Sequence, residues 1–227
     1  MEISQSDNVL EVGPGIGSLT HFINEKASKY TAVDIDQRMI DFLKIPYSNS
    51  NINFICNDIR RVDISNFNKI ISNLPYNITT ELIVYFIKNG INIDKLVLMS
   101  QTETYAHFSD ISGKEYGPVS VLIHLYGNIK KIMTVKPGSF YPAPKCSSTV
   151  FVINRDSRHT LDECVNTYYV SKQLFLNRRK TIFNNLQLYL KDKEKALEVC
   201  EKLNIPITKR PEELSPEMYF EITKIVK

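Results

Sequence analysis

No run of apolar residues in this sequence approaches the roughly 20 that a membrane-spanning helix needs, so a helical membrane span is excluded. The opening residues also lack the basic-then-apolar pattern of a secretory signal. Cysteine is sparse. Cys56, Cys146, Cys164 and Cys200 lie far apart, and no pair has metal-ligand or redox spacing. A chain of 227 residues does not need disulfide staples, so all four read as reduced thiols in a reducing compartment. His21, His107, His124 and His159 are equally scattered, and no metal site is expected. There is no internal repeat and no low-complexity tract. Net charge is low, at +3, but residues 1–150 hold 14 basic and 14 acidic side chains, so residues 151–227 carry all of it. That asymmetry is a weak hint of an anionic partner for the C-terminal part.

What is present is a chain 43% hydrophobic and 23% charged, the balance of a globular, soluble protein. Strand and helix patterns alternate through its first two-thirds. Strands are expected at "NVLEVG", "YTAVDI", "INFICN", "NKIISN" and "DKLVLMSQ". Helices are expected over "SLTHFINEKAS", from Gln37 to Leu43, over "ELIVYFIKNG" with Gly90 as C-cap, and over "GPVSVLIHLYG" with Pro118 in its first turn. "IKKIMTV" and "SSTVFVI" suit an antiparallel pair. This order predicts an α/β fold with a mostly parallel, doubly wound sheet. Beyond Ile153 only helix-like runs remain, which divides the chain into residues 1–154 and a small helical domain at 155–227.

"LEVGPGIGSLT" sets Gly13, Gly15 and Gly17 between the first strand and its helix. Glycines allow a tight turn and close ligand approach, and the helix beyond offers free N–H groups. Asp34 ends the second strand about 20 residues on, where an acid can bind ribose hydroxyls. The spacing is not the dinucleotide G-x-G-x-x-G, because Ser18 stands where the third glycine would be, and the Gly-Lys-Ser/Thr of a phosphate loop is absent. E-x-G-x-G-x-G resembles motif I of S-adenosylmethionine-dependent methyltransferases. That resemblance implies that Glu11 holds the loop or the methionine end of the cofactor. It also implies that Asp34, with Ile35, takes the ribose and that Asp58, with Ile59, meets the adenine amine.

"SNLPYNI" puts Asn73, Leu74, Pro75 and Tyr76 at the carboxyl end of the fourth strand, where ligands bind in open α/β sheets. N-L-P-Y marks methyltransferases acting on an exocyclic amine. The lone pair of adenine N6 is delocalised into the ring, so the amine needs acceptors for its hydrogens. The Asn73 side chain and the Leu74 carbonyl are placed to accept, Pro75 fixes the turn, and Tyr76 offers a stacking face.

Taken in order, these segments resemble the bacterial small-subunit rRNA adenine dimethyltransferases over nearly the whole chain. "MSQTETYAHF", "FYPAPKCSSTVFVI", "LFLNRRKTIFNNL" and "RPEELSPEMYFEI" extend the likeness. The resemblance implies a Rossmann-like methyltransferase sheet with a small all-α C-terminal domain. It implies S-adenosylmethionine as cofactor and Phe140 packing on the target adenine opposite Tyr76. Lys145, Arg178, Arg179 and Lys180 become candidate RNA contacts, although Arg178 also suits a bracing role. The implied reaction dimethylates N6 of two adjacent adenosines in a hairpin near the 3′ end of small-subunit rRNA. The implied partner is an immature ribosomal subunit, met by a monomer in the cytoplasm, with organellar import left open.

Two departures stand out. Relatives carry about 30 residues ahead of motif I, including a segment that closes over the cofactor, whereas here the first strand begins near residue 8; the chain reads as N-terminally truncated. Asp34 also stands where relatives usually have Glu. Two other readings stay open: an Erm-type large-subunit rRNA adenine methyltransferase, and a methyltransferase-fold ribosome-assembly or transcription factor without catalysis.

Overall fold

A computed structural model describes residues 2–27 and 29–227. The chain forms two compact units, Met1–Thr102 with Lys130–Arg155, and Glu103–Ile129 with Asp156–Lys227.

The first unit is built on a sheet of order β3-β2-β1-β4-β5-β7-β6. Its strands are β1 (Asn8–Val12), β2 (Lys29–Asp34), β3 (Ile52–Cys56), β4 (Lys69–Asn73), β5 (Lys95–Gln101), β6 (Gly127–Val135) and β7 (Ser148–Arg155). β1 to β5 pair in parallel, and β7 runs antiparallel to β5. The buried strands read as continuous apolar runs, because neither face meets water. Val9 and Leu10 of β1, Ala32 of β2, Ile70 of β4 and Leu96 and Leu98 of β5 are all fully buried. "IKKIMTV" and "SSTVFVI" are neighbours at the sheet's far edge, and most of β6 is exposed.

The register decides where the functional residues fall. Val12 pairs with Val33 and with Ser72, Asp34 with Cys56, and Asn73 with Met99. The residues that follow these strand ends therefore share one edge. β1 and β4 lie side by side there with connections leaving in opposite directions, the switch point at which open α/β sheets bind ligands.

At the opposite edge, Asp7 is buried against Lys69 (2.6 Å) and also accepts from Ser4 N–H and the Asn68 amide. Burial alone would raise the Asp7 pKa, but Lys69, Ser4 and Asn68 outweigh it and hold the carboxyl well below its ordinary value. Lys69 Nζ also donates to the Glu2 carbonyl at 2.9 Å, which fastens the residues ahead of β1 to the first residue of β4.

Helices flank these strands. α1 (Thr20–Asn24) is shorter than the sequence suggests, because residues 15–19 stay in turns around Gly15 and Gly17, both at positive φ. α2 (Gln37–Lys44) is N-capped by Asp36, which accepts from Arg38 N–H. α3 (Thr79–Asn89) ends at Gly90, whose N–H reaches Phe86 O. The glycine there is not serving a left-handed turn, since its φ is −89°. A Cβ at residue 90 would stand 1.9 Å from Ile93 Cδ1 and 2.7 Å from Phe86 O, so the need for glycine is steric.

The second unit is helical. α5 (Pro118–Tyr126) is apolar on all sides, and Val121, Leu122, Ile123 and Leu125 are fully buried. It packs against α6 (Leu161–Leu174) and α9 (Pro216–Val226), with α7 (Ile182–Leu190) and α8 (Lys193–Lys202) completing the unit. Side-chain caps mark the starts: Thr160 and Glu163 form a reciprocal capping box, and Thr181, Asp192 and Ser215 each accept from their helix. Tyr116, Phe175 and Tyr219 form its aromatic centre, with Phe175 stacked on Tyr219 at 5.4 Å between ring centroids.

Two features differ from the sequence reading. α4 (Thr102–Ser109) was not expected; it follows β5 directly and buries only Phe108, so its periodic signal is weak. The expected division at 154/155 also follows chain order, whereas packing groups residues 103–129 with the C-terminal helices. α5 is too apolar to be solvated and finds its partners in α6 and α9. Among the described residues no helix is long and apolar enough to cross a membrane.

Candidate active site

Two hollows open at the carboxyl edge of β1, β2 and β4. The first, of about 130 Å³, is lined by Gly13, Val33, Asp34, Ile35, Asp58 and Ile59, with Arg60, Pro75, Ile78 and Leu82 among its further walls. The second is a shallower cleft of about 400 Å³, formed by Gly13, Gly15, Asp34, residues 73–76, Phe140, Pro142 and Pro144. Gly13, Asp34 and Pro75 belong to both, so the two hollows share a wall.

That wall follows from the glycine loop. The Gly13 N–H donates to Val33 O at 2.9 Å, one residue past the last β1–β2 pair, and its φ of +70° is where the chain leaves the strand. A Cβ at Gly13 would find no atom nearer than Asn73 O at 4.0 Å. The glycine thus keeps open the space between the loop and the end of β4. Gly17 does different work. Its φ is +90° and a Cβ there would stand 2.7 Å from Leu43 Cδ2, so it lets the loop settle on α2.

Asp34 holds its carboxylate at the rim, accepting from Asp36 N–H at 2.9 Å and, more loosely, from Gly15 N–H at 3.4 Å. Ile35 beside it is largely exposed and Ile59 is buried, giving the first hollow apolar walls from two strand ends. Asp58 caps the short turn Ile59–Arg61 and is gripped by Arg60, with Nη2–Oδ2 at 2.5 Å and Nε–Oδ1 at 3.0 Å. The Arg60 guanidinium, then the Arg60 N–H, hold the Asp58 carboxyl down at about 2. An acceptor that stays ionised, beside a slot of apolar walls and a second acid, suits a nucleoside: a flat apolar base with a donor edge, and a sugar with two hydroxyls.

Glu11 was expected at the cofactor or as a brace for the loop, and its position fits the brace. It is 1% exposed and accepts from Thr20 Oγ1 at 2.7 Å and from the Tyr30 hydroxyl, tying the strand before the glycine loop to the helix after it. Neither hollow includes it. Burial pushes its pKa up against the opposing pull of Tyr30 and Thr20.

In the cleft, Leu74 is buried and its N–H donates to Met99 O at 3.0 Å, continuing the β4–β5 ladder one residue past Asn73. The Pro75 carbonyl accepts from Ile78 N–H (3.2 Å) and Thr79 Oγ1 (2.9 Å), which closes the turn into α3. The Asn73 side chain is left exposed at the strand end. The Tyr76 hydroxyl bonds Ser148 Oγ at 2.9 Å, and Phe140 lines the same cleft, half-buried.

The basic candidates differ from one another. Lys145 is exposed on the segment after Phe140. Arg178 turns inward: its guanidinium donates to Gly113 O at 3.2 Å and lies 5.6 Å from the Phe175 ring centroid, a bracing position within the second unit. Arg179 and Lys180 are exposed, in the turn before α7 rather than on the helix. Among the described residues there is no cluster of His, Cys, Asp and Glu able to hold a metal ion.

Sequence reasoning did not single out Arg60, Tyr30, Ile78 or Ser148. Arg60, two residues after Asp58, was legible as a local pair. Tyr30 and Ser148 reach their partners from other strands and carry no local signal.

The family model described as "Ribosomal RNA adenine dimethylase" matches residues 1–227. The chain is 36% identical over 230 residues to a ribosomal RNA small subunit methyltransferase A of Malacoplasma penetrans, covering 98% of this chain and 82% of that one. It is 33% identical to a protein of the same description from Legionella pneumophila, covering 97% and 87%. Among solved structures, a dimethyladenosine transferase from Plasmodium falciparum superposes with TM-score 0.82 at 25% identity, over 97% of this chain and 90% of that one. The 23S rRNA methyltransferase ErmE superposes with TM-score 0.75 at 19% identity, over 99% and 93%, a likeness of fold alone.

Proposed function

The chain belongs to the ribosomal RNA adenine dimethylase family, and from that premise we propose how its two hollows divide the work. It is an S-adenosylmethionine-dependent adenine dimethyltransferase acting on small-subunit rRNA. The observation that carries the reading is the placement of Asn73. It stands at the end of β4, within the cleft and across from Gly13, whose backbone lines both hollows.

The residues of the first hollow fit the cofactor. Ile35 and Ile59 would flank its adenine, Asp58 would accept from the adenine amine, and Asp34 would accept from the ribose. Gly13, Gly15 and Gly17 shape the loop under its methionine end, and Glu11 holds that loop from behind. Bound there, S-adenosylmethionine supplies a methyl group on a positively charged sulfur.

The cleft would take the substrate adenine, out of its stack. Tyr76 and Phe140 offer it two aromatic faces. The Asn73 side-chain oxygen and the Leu74 carbonyl accept the two N6 hydrogens, which draws the nitrogen lone pair out of the ring. Orientation then carries much of the rate, and no strong base is needed. Positioning on the RNA falls to Lys145, Arg179 and Lys180 and to the helices of residues 155–227, through phosphate and shape contacts. Arg178 contributes by bracing its neighbours. A monomer working in the cytoplasm on an immature small subunit fits this arrangement.

A methyl-acceptor assay on immature small and large subunits tests the reading. Methylation of the small subunit alone is expected. Asn73→Ala should abolish transfer while calorimetry finds cofactor binding only mildly weakened. Undiminished turnover by Asn73→Ala removes the residue from the chemistry. Activity confined to the large subunit supports the Erm-type reading, and cofactor binding without transfer to either subunit supports a non-catalytic assembly role.

A further inference from the structure

Ser148 is fully buried, yet its hydroxyl meets the one polar atom of the Tyr76 side chain, at 2.9 Å. The two residues are 72 positions apart, and Ser148 opens β7, an antiparallel addition to the parallel part of the sheet. Ser148 has little freedom of its own. On either side, the Ser147 carbonyl accepts from both the N–H and the Oγ1 of Thr102 at 3.0 Å, and Thr149 Oγ1 meets Thr102 Oγ1 at 3.0 Å. Ser148 itself pairs with Gln101 of β5.

β5 is also the reference for the other half of the cleft. Asn73 pairs with Met99, and Leu74 N–H donates to Met99 O. The amide acceptor and the aromatic face are thus both measured from β5, two residues apart on that strand. Tyr76 follows a proline turn and is only half-buried, so packing constrains its χ1 and χ2 less than it would in the core. The hydroxyl bond adds a constraint at the far end of the ring.

We propose that Ser148 is a positioning residue for the methyl acceptor: through the Tyr76 hydroxyl it fixes the plane on which the adenine stacks, relative to Asn73. The inference rests on the reading of the cleft as the adenine site. It gives the tyrosine hydroxyl a task that stacking itself does not require. Phenylalanine would stack as well, but its ring would not be tied at one edge.

A double-mutant cycle tests this with the full chain, its cofactor and the immature small subunit. Ser148→Ala and Tyr76→Phe should each lower kcat about five- to tenfold, the size of one lost hydrogen bond and the misalignment that follows. KM for the subunit and cofactor affinity should change less than about twofold, since neither stacking area nor the first hollow is touched. The double variant should be no slower than either single one. A purely structural role for Ser148 predicts the opposite: its effect would multiply with that of Tyr76→Phe and follow any loss of thermal stability. Wild-type kcat in Ser148→Ala, or multiplied losses in the double variant, overturns the proposal. Asn73→Ala run alongside separates the two readings. If Asn73→Ala is inactive while Ser148→Ala is unimpaired, only the positioning role fails; if Asn73→Ala remains active, the adenine site itself has been misplaced.

Discussion

Asn73 and Glu11 are both polar residues on strands that reach the site, and their surroundings give them opposite tasks. Asn73 ends its strand exposed, on the wall of the cleft. Glu11 sits one residue before the end of β1, fully enclosed, and spends its oxygen on Thr20 and Tyr30. A carboxyl whose pKa is raised by burial binds its proton more tightly in the folded chain than in the unfolded one. Its contribution to stability is then fully present below the unfolded value of 4.5 and is lost as pH rises through the folded value. Glu11→Gln keeps a carbonyl oxygen for both hydroxyls and has no charge to bury. It should equal or exceed the wild type in urea stability at pH 7, lack the gain on acidification that Glu11 provides, and bind cofactor within about twofold. A large loss of cofactor affinity in a folded Glu11→Gln would show that the carboxylate acts on the ligand directly. The sequence placed Glu11 near the glycine loop but could not say which way it faced, because Tyr30 comes from the neighbouring strand.

Among the elements, β4 and α3 were the most legible, and for physical reasons. "NKIISN" carries Ile70 and Ile71 just ahead of a proline turn, and α3 carries an apolar face of Leu82, Ile83, Phe86 and Ile87. The stop at Gly90 was readable too, though its cause was not: the glycine is needed because Ile93 folds back over it. Gly90→Ala should therefore cost more than a helix-propensity change, about 1–3 kcal/mol for the forced shift of packed atoms. Urea unfolding followed by circular dichroism measures it, and a change below about 0.5 kcal/mol would mean that Ile93 simply moves aside. α4 was illegible because it has almost no buried face, with Phe108 as its single core residue. α1 was over-extended because Leu19, Phe22 and Ile23 are spaced like a helix while the glycines before them hold the chain in turns.

For the whole molecule, chain order proved a poor guide to grouping. α5 precedes β6 and β7 in sequence, yet its all-round apolar surface packs on α6 and α9. Such pairing depends on surfaces more than 30 residues apart, and no local pattern announces it. The same unit carries the exposed pair Arg179 and Lys180. Reversing both charges should weaken binding to the immature subunit and flatten its dependence on salt, because fewer counterions are released. Unchanged affinity across a salt titration would remove the pair from the RNA surface, and the same reversal should leave cofactor affinity as it was. The parallel arrangement of the first unit has a practical corollary. Lys69 and Asn73 are the two ends of one strand, and Lys69 is the end to which Glu2 and Asp7 are fastened. A change at that ion pair thus acts about 13 Å along the strand from Asn73, which makes Asp7 a position where stability can be varied without touching the residues that line the two hollows.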